Sequence, residues 1–181
     1  MRKRTSLIQV FSAAIALGSN LGDCLALLGA ARLGLGALAQ PGSLRCSPLF
    51  RTAAVGGPAG QPAFLNGVAL LHWVGSCEQL LLELQRLEAA AGRERLVPWG
   101  PRSLDLDLLW CGNEQRNTAN LQLPHPRLWG RRFVLEPLAA LDPALKPPGQ
   151  EKTAAELLEA LLLNCSEPAP QLLPPAALWP N

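Results

Sequence analysis

Asp105 and Asp107 stand two residues apart in the segment Arg102-Ser-Leu-Asp-Leu-Asp-Leu-Leu109, and they are two of only four Asp in the chain. Side chains alternate across a strand, so the two carboxylates share one face while Leu104, Leu106 and Leu108 share the other. At the usual strand rise their Cα atoms lie about 6.7 Å apart. Two carboxylates projecting in parallel at that spacing can hold one or two hard cations, since paired ions in two-metal sites sit roughly 3.5–4 Å apart. Without a cation the two anions repel and one pKa rises. Asp is a poor strand residue, so its double appearance points to chemistry rather than to a solvated strand face.

The cationic residues sharpen this. Of 13 Arg, 8 lie between Arg86 and Arg132, against 3 Lys in the whole chain. Arg93, Arg95 and Arg102 stand just before the carboxylates, and Arg131 and Arg132 follow. Phosphate favours permanently charged, bidentate donors, which selects Arg over Lys. Carboxylates that hold Mg2+ beside Arg side chains that hold phosphate are the minimal machinery of phosphoryl transfer, where catalysis is mostly positioning and charge neutralisation.

Something must position these groups. The pattern predicts a strand over Val10 to Leu17, a turn at Gly18-Ser-Asn-Leu-Gly-Asp23, and a helix capped by Asp23 that runs to about Leu38 and is weakened by Gly29, Gly34 and Gly36. A second strand is predicted from Ser43 to Thr52, a Gly- and Pro-rich loop from Ala53 to Pro62, and a third strand from Phe64 to Trp73. Ser76 and Gln79 form a capping-box pattern, and Leu80, Leu84, Leu87 and Ala91 make one apolar stripe that ends at Gly92. A loop carries Trp99-Gly-Pro, then the Asp strand runs from Leu104 to Trp110. A short extended piece reaches Leu123, and helices follow at about Arg131 to Ala140 and from a Thr153 cap to about Leu163. The order strand-helix-strand-strand-helix-strand fits an α+β fold with a ferredoxin-like βαββαβ core, a mainly antiparallel sheet and helices packed on one face. Residues 1–165 read as a single domain and 166–181, with five Pro, as a proline-rich tail.

Composition narrows the classes. A net charge of +2 disfavours a general nucleic-acid role. Five scattered Cys without a C-x-x-C pair fit free thiols in a reducing cytoplasm. Ser6 to Leu17 after Met1-Arg-Lys-Arg superficially looks like a leader. Gln9 and Ser12 interrupt its apolar run, so a first strand is expected there instead. No run of about 18 apolar residues predicts a membrane span.

Trp99-Gly-Pro-Arg-Ser-Leu-Asp-Leu-Asp-Leu-Leu109 closely resembles the signature of the 6-hydroxymethyl-7,8-dihydropterin pyrophosphokinase family. Further motifs match in order at Ala16-Leu-Gly-Ser-Asn-Leu-Gly22, Phe50-Arg-Thr52, Phe64-Leu-Asn66, Gln85-Arg-Leu-Glu88 with Gly92-Arg93, Pro124-His125, and Arg131 to Leu138, over roughly residues 8 to 150. The resemblance implies transfer of pyrophosphate from ATP to the pterin hydroxymethyl group, with AMP as the other product and two Mg2+ ions required. Asp105 and Asp107 match the metal-binding pair, and Asp107 is the better placed to orient or deprotonate the hydroxyl. Arg93 and Arg102 match phosphate-contacting positions, and Arg95 a mobile-loop Arg tied to catalysis. His125 and Arg131 match residues that contact ATP, and Gln85 and Glu88 resemble a nucleotide-side pair. For the pterin, Phe133 matches a stacking ring and Trp99 the residue that closes over the site. Asn66 matches the side chain that reads the ring edge, with Thr52, Ala53 and Val55 beside it, and Phe64 stands where many relatives carry Tyr. The substrates implied are small molecules, with no nucleic acid or membrane partner, for a monomer in the cytoplasm.

The chain departs from the family at several points. Pro126 replaces a common Tyr after the His, and Ala53-Ala54 replaces a Pro pair. The loop from Arg95 to Trp99 is one residue short and uncharged, and Asn120 stands for a common Arg. These changes spare the metal pair and the main Arg, so an active enzyme with altered ATP affinity or loop kinetics is expected. Two alternatives remain at this point. A nucleotide-sugar transferase also binds metal through D-x-D, typically on a larger doubly wound domain. An inactive ferredoxin-like binding module would be expected to have lost Asp105, Asp107 or Arg93, all of which are present.

Overall fold

The computed structural model describes residues 9–93, 99–174 and 179. Its elements are β1 (Val10–Ser19), α1 (Cys24–Leu38), β2 (Arg45–Cys46), β3 (Phe50–Thr52), β4 (Phe64–Val74), α2 (Cys77–Ala90), β5 (Asp105–Cys111), β6 (Arg116–Asn117), β7 (Gln122–Leu123), α3 (Arg132–Leu141), α4 (Ala154–Leu162) and β8 (Gln171–Leu172), with a 3-10 turn at Leu128–Gly130 before α3. Among the described residues, one six-stranded sheet runs β5-β1-β4-β3-β8 with β2 also on β4, and every pairing is antiparallel. This is the expected α+β arrangement. A separate small hairpin joins β6 to β7.

The first sheet face is a closed apolar core. Ala13, Ile15 and Leu17 of β1, Leu65, Ala69 and Leu71 of β4, and Leu106 and Leu108 of β5 pack against Leu28, Ala31 and Leu35 of α1 and Leu80 and Leu84 of α2. Each such buried Leu contributes roughly 1.5–3 kcal/mol relative to exposure. The expected caps form. Asp23 accepts the Ala26 N–H at 3.1 Å, and Ser76 and Gln79 close a capping box. Gly34, which costs α1 helix propensity, has a packing reason, because a Cβ there would fall 2.5 Å from Leu87 Cδ2 of α2.

The second face corrects the expectation that helices cover one side only. Val134, Leu135 and Leu138 of α3, with Ala154 of α4, pack over Ala14, Val68, Leu70, Leu109 and Trp110. Leu109 and Trp110 are adjacent yet face the same helices, which strict alternation forbids. The reason is a β-bulge: Ala14 pairs with Trp110 and Ile15 with Leu108, leaving Leu109 as the extra residue. The freed Leu109 carbonyl accepts the His125 N–H at 2.8 Å and so docks the 124–130 segment onto the strand end.

The expected second strand, Ser43 to Thr52, is broken. Ser47 closes the gap between β2 and β3: its N–H donates to the Val68 carbonyl at 2.8 Å and its Oγ accepts the Val68 N–H at 2.9 Å. Pro48 lacks the donor that a continuous ladder needs there. Within 166–181, β8 extends the sheet beyond β3, and the Trp179 indole N–H donates to the Ser47 carbonyl at 2.8 Å.

Candidate functional site

α3 and α4 cover only part of the second face. Further along the same strands the residues become small or polar, and a pocket of about 430 Å³ opens. Its floor is Ala16 and Gly18 of β1. Gly18 pairs with Asn66 of β4 on one side and Asp105 of β5 on the other, and Ala16 pairs with Asp107. A Cβ on Gly18 would lie 2.9 Å from Asn66 Oδ1 and 3.9 Å from Asp105 Cβ, so glycine keeps the floor low between two polar side chains.

As the alternation requires, Asp105 and Asp107 both line this pocket while Leu106 and Leu108 enter the opposite core. Their surroundings differ. The Asp105 side chain, 17 % exposed, is paired with Arg102 and has Arg93 Nη1 2.7 Å from its Oδ1. Arg93 also pairs with Glu88, whose Oε1 accepts the Leu106 N–H at 2.7 Å. Asp107 is 35 % exposed, with Arg131 Nη1 at 3.1 Å and His125 Nε2 at 3.9 Å from its Oδ2. Burial pushes the His125 pKa below its ordinary value, and Arg131 and Arg127 lower it further against the pull of Asp107. His125 Nδ1 accepts the Arg127 N–H at 3.2 Å, so the neutral ring carries its proton on Nε2, toward Asp107.

The two carboxylates suit a hard cation. Asp105 Oδ1 is buried and ion-paired with Arg93 Nη1 at 2.7 Å, but it accepts no aligned hydrogen bond. Among the described residues no group of three or more His, Cys, Asp or Glu assembles as a metal cage. Mg2+ typically takes one or two carboxylates and completes its shell with phosphate oxygens and water, and the Asp105–Asp107 pair offers two carboxylates.

The other end of the pocket is apolar. Phe64 and Phe133 supply rings, and Thr52, Ala53 and Val55 line the same space with Asn66 and Trp99. Asn66 Nδ2 donates to Thr52 Oγ1 at 2.6 Å, which fixes the amide orientation in a buried setting. The Arg131 guanidinium lies 5.3 Å from the Phe133 ring centroid, joining the charged end to the apolar one.

The structure thus brings Thr52, Ala53, Val55, Phe64, Asn66, Trp99, Arg102, Asp105, Asp107, Arg131 and Phe133 into one pocket. Arg93 and Glu88 stand behind it in the ion pairs above, His125 stands beside Asp107, and Gln85 is exposed on α2. Arg95 lies outside the described residues. Sequence reasoning placed Ser19 and Asn20 in a turn and in a family motif but gave neither a role. Both are buried; Asn20 exchanges backbone and side-chain hydrogen bonds with Arg102 at 3.0 and 2.7 Å, and Ser19 Oγ donates to the Ser103 carbonyl at 2.6 Å. They pin the backbone just before the carboxylates. The available signal was two polar residues directly continuing an apolar strand.

The model of the family described as 7,8-dihydro-6-hydroxymethylpterin-pyrophosphokinase matches residues 14–143. The chain is 40 % identical over 172 residues to the 2-amino-4-hydroxy-6-hydroxymethyldihydropteridine pyrophosphokinase of Synechocystis, covering 95 % of this chain and 81 % of that one. It is 41 % identical over 134 residues to the enzyme of the same name from Pseudomonas aeruginosa, covering 74 % and 82 %. In shape it is similar to a crystal structure of Plasmodium falciparum HPPK-DHPS with pteroate, at a TM-score of 0.65 and 12 % identity. That match covers 86 % of this chain but 44 % of the longer one, and it speaks to the fold alone.

Proposed function

This chain belongs to the 7,8-dihydro-6-hydroxymethylpterin-pyrophosphokinase family, ATP-dependent enzymes that pass pyrophosphate to hydroxymethyldihydropterin in folate biosynthesis, and we propose that its pocket performs the transfer with the residues assigned below. The products fix the bond change: the hydroxymethyl oxygen bonds to the β-phosphorus of ATP, the bridge from the β-phosphorus to the α-phosphate oxygen breaks, AMP departs, and the hydroxyl proton is lost.

Asp105 and Asp107 would hold Mg2+, for which we assign two ions, and its charge would offset that of the transferring group. Arg102 and Arg131 line the charged end and contact phosphate. Arg93 acts from behind Asp105, holding that carboxylate toward the pocket, and reaches phosphate when it lets go of its present partners. Asp107, the more exposed carboxylate, is placed to orient or accept the proton of the hydroxyl. His125 donates its Nε2 proton to an ATP oxygen or to Asp107.

At the apolar end the bicyclic ring lies between Phe64 and Phe133. Asn66, locked by Thr52, reads the ring edge together with backbone at Ala53 and Val55, and Trp99 closes over it. Phe64 offers no hydroxyl, so recognition there is by stacking alone. For Gln85 and Glu88 on the nucleotide side, and for Arg95 in catalysis, the support is the resemblance of their motifs.

The observation that carries this reading is the pair of carboxylates facing one pocket, with Arg side chains at one end and two Phe rings at the other. The test is AMP formation from ATP with and without 6-hydroxymethyl-7,8-dihydropterin and Mg2+. ADP as product, or indifference to the pterin, contradicts it. We also propose that residues 1–165 act as one domain carrying 166–181 as an appended segment, and that the enzyme is a cytoplasmic monomer without nucleic-acid partners. In support, the five Cys are free thiols, the net charge is small, and no helix among the described residues is long and apolar enough to cross a membrane. Gel filtration of the purified chain, with a peak at twice the chain mass, would contradict the monomer.

A further inference from the structure

Trp99 is the only non-glycine residue with positive φ among the described residues, at 61°. A residue with a Cβ adopts that backbone rarely and keeps it only when its surroundings fix it. Here the surroundings come from two other loops. The Arg127 guanidinium lies 4.5 Å from the Trp99 ring centroid. Gln61 Nε2 donates to the Trp99 carbonyl at 3.0 Å and to the Gly56 carbonyl at 3.2 Å. Gly57 approaches so closely that a Cβ there would fall 2.2 Å from the Trp99 carbonyl oxygen, and its own φ is +78°. Arg127 is itself tied to the charged end, since its N–H donates to His125 Nδ1.

We propose that Arg127 and Gln61 are positioning residues that clasp Trp99 over the pocket before substrate arrives. This rests on the reading of Trp99 as the residue closing on the pterin. Arg127 contributes a cation on the ring, and Gln61 contributes an amide donor shared by the Gly56 and Trp99 carbonyls. The clasp joins the loop from Ala53 to Pro62, the Trp99 segment and the loop after Pro124 into one assembly. Pterin then binds a prepared wall instead of ordering it, so the clasp acts on pterin affinity and leaves ATP affinity nearly unchanged.

The chemistry of each contact supplies its test. Arg127→Ala should raise the pterin KM roughly five-fold, the size of one partly exposed cation–π contact, with the ATP KM changed less than two-fold. Arg127→Lys, which keeps a cation over the ring, should restore most of the loss. Gln61→Glu keeps the shape but turns an acceptor toward two carbonyls, and it should shift the pterin KM in the same direction. In a Trp99→Ala background, Arg127→Ala should have no further effect on the pterin KM. Independent effects there, or an ATP KM that rises instead, overturn the proposal, because Arg127 then acts on the nucleotide. A second readout needs no turnover. The Trp99 contribution to emission, taken as wild type minus Trp99→Phe without substrate, should shift to the red in both Arg127→Ala and Gln61→Glu, and an unchanged contribution overturns the clasp. Absence of pterin-dependent AMP from the wild type would refute the reading of the site, while the emission result still decides the clasp.

Discussion

Two halves of one sheet face have opposite fates. Over Ala14, Val68, Leu70 and Trp110 the face is apolar and lies under α3 and α4. A few residues along the same three strands it carries Ala16, Gly18, Asn66, Asp105 and Asp107, and it stays open as the pocket. The backbone is continuous through both halves, so strand geometry does not decide which half stays open. Side-chain size and polarity decide it. Large apolar groups draw helices onto the sheet, while small groups flanked by carboxylates leave a trough that helices cannot fill without burying charge. The bulge at Leu109 marks the boundary, since it re-aims the strand after the carboxylates and turns its carbonyl toward His125.

This contrast predicts that damage in one half should spare the property served by the other. The largest effect is expected at Asp107. Asp107→Asn should lower kcat by roughly 10³-fold or more, the scale for removing one preorganised electrostatic group, and leave the thermal midpoint within a few degrees. A midpoint that collapses with activity would make Asp107 a structural residue. Asp105→Asn should lose activity too but also lower the midpoint further, because it strands two Arg partners.

In the covered half, Leu135→Ala should cost about 3 kcal/mol of stability by leaving a cavity under α3, measured by denaturant unfolding, while the pterin KM at 25 °C stays within two-fold. A large change in KM would mean that the two halves are coupled. Gly18→Ala fills the floor between Asn66 and Asp105. It should raise the pterin KM about ten-fold, the scale of one misplaced contact, with a small change in stability. An unaltered KM would show that the floor is deeper than substrate needs.

The smallest effect concerns pH. The folded His125 pKa lies below its ordinary 6.5, so the unfolded chain binds more protons just below that value. Stability from this group is therefore present above about pH 6.5 and falls as the pH drops below it, until the folded ring also protonates. Thermal melts between pH 7.5 and 5.5 should show this slope, and His125→Gln should flatten it. An identical slope in the variant would assign it to other groups.

Much of this was legible in short-range pattern. The period-2 alternation at Leu104 to Leu108 placed both carboxylates on one face, and the Ser76–Gln79 and Thr153–Glu156 patterns marked two helix starts whose capping boxes both form. What escaped depends on contacts between distant segments. The two later helices were expected from their own pattern, but their place on the second face was not, because Leu109 and Trp110 read as continued alternation, and a bulge has no signature without its partner strand. The second strand was expected unbroken from Ser43 to Thr52; Pro48 carries the local sign of a break, while the bridging by Ser47 depends on Val68, 21 residues away. Asn20 looked like a turn residue because its partner, Arg102, lies 82 positions on. Gln61 and Arg127 had no local reason to be noticed, since each acquires its role only where three loops meet at Trp99.

On the proposed function, one open half-face, with two carboxylates between Arg side chains and Phe rings, moves pyrophosphate from ATP to the pterin. The most direct measurement is the nucleotide product when the purified chain is given ATP, Mg2+ and 6-hydroxymethyl-7,8-dihydropterin, beside the same reaction with Asp107→Asn. AMP and the pterin diphosphate should form in equal amounts, dependent on both pterin and Mg2+, and both should be lost in the variant. ADP as the product, or AMP that persists undiminished in Asp107→Asn, would contradict it.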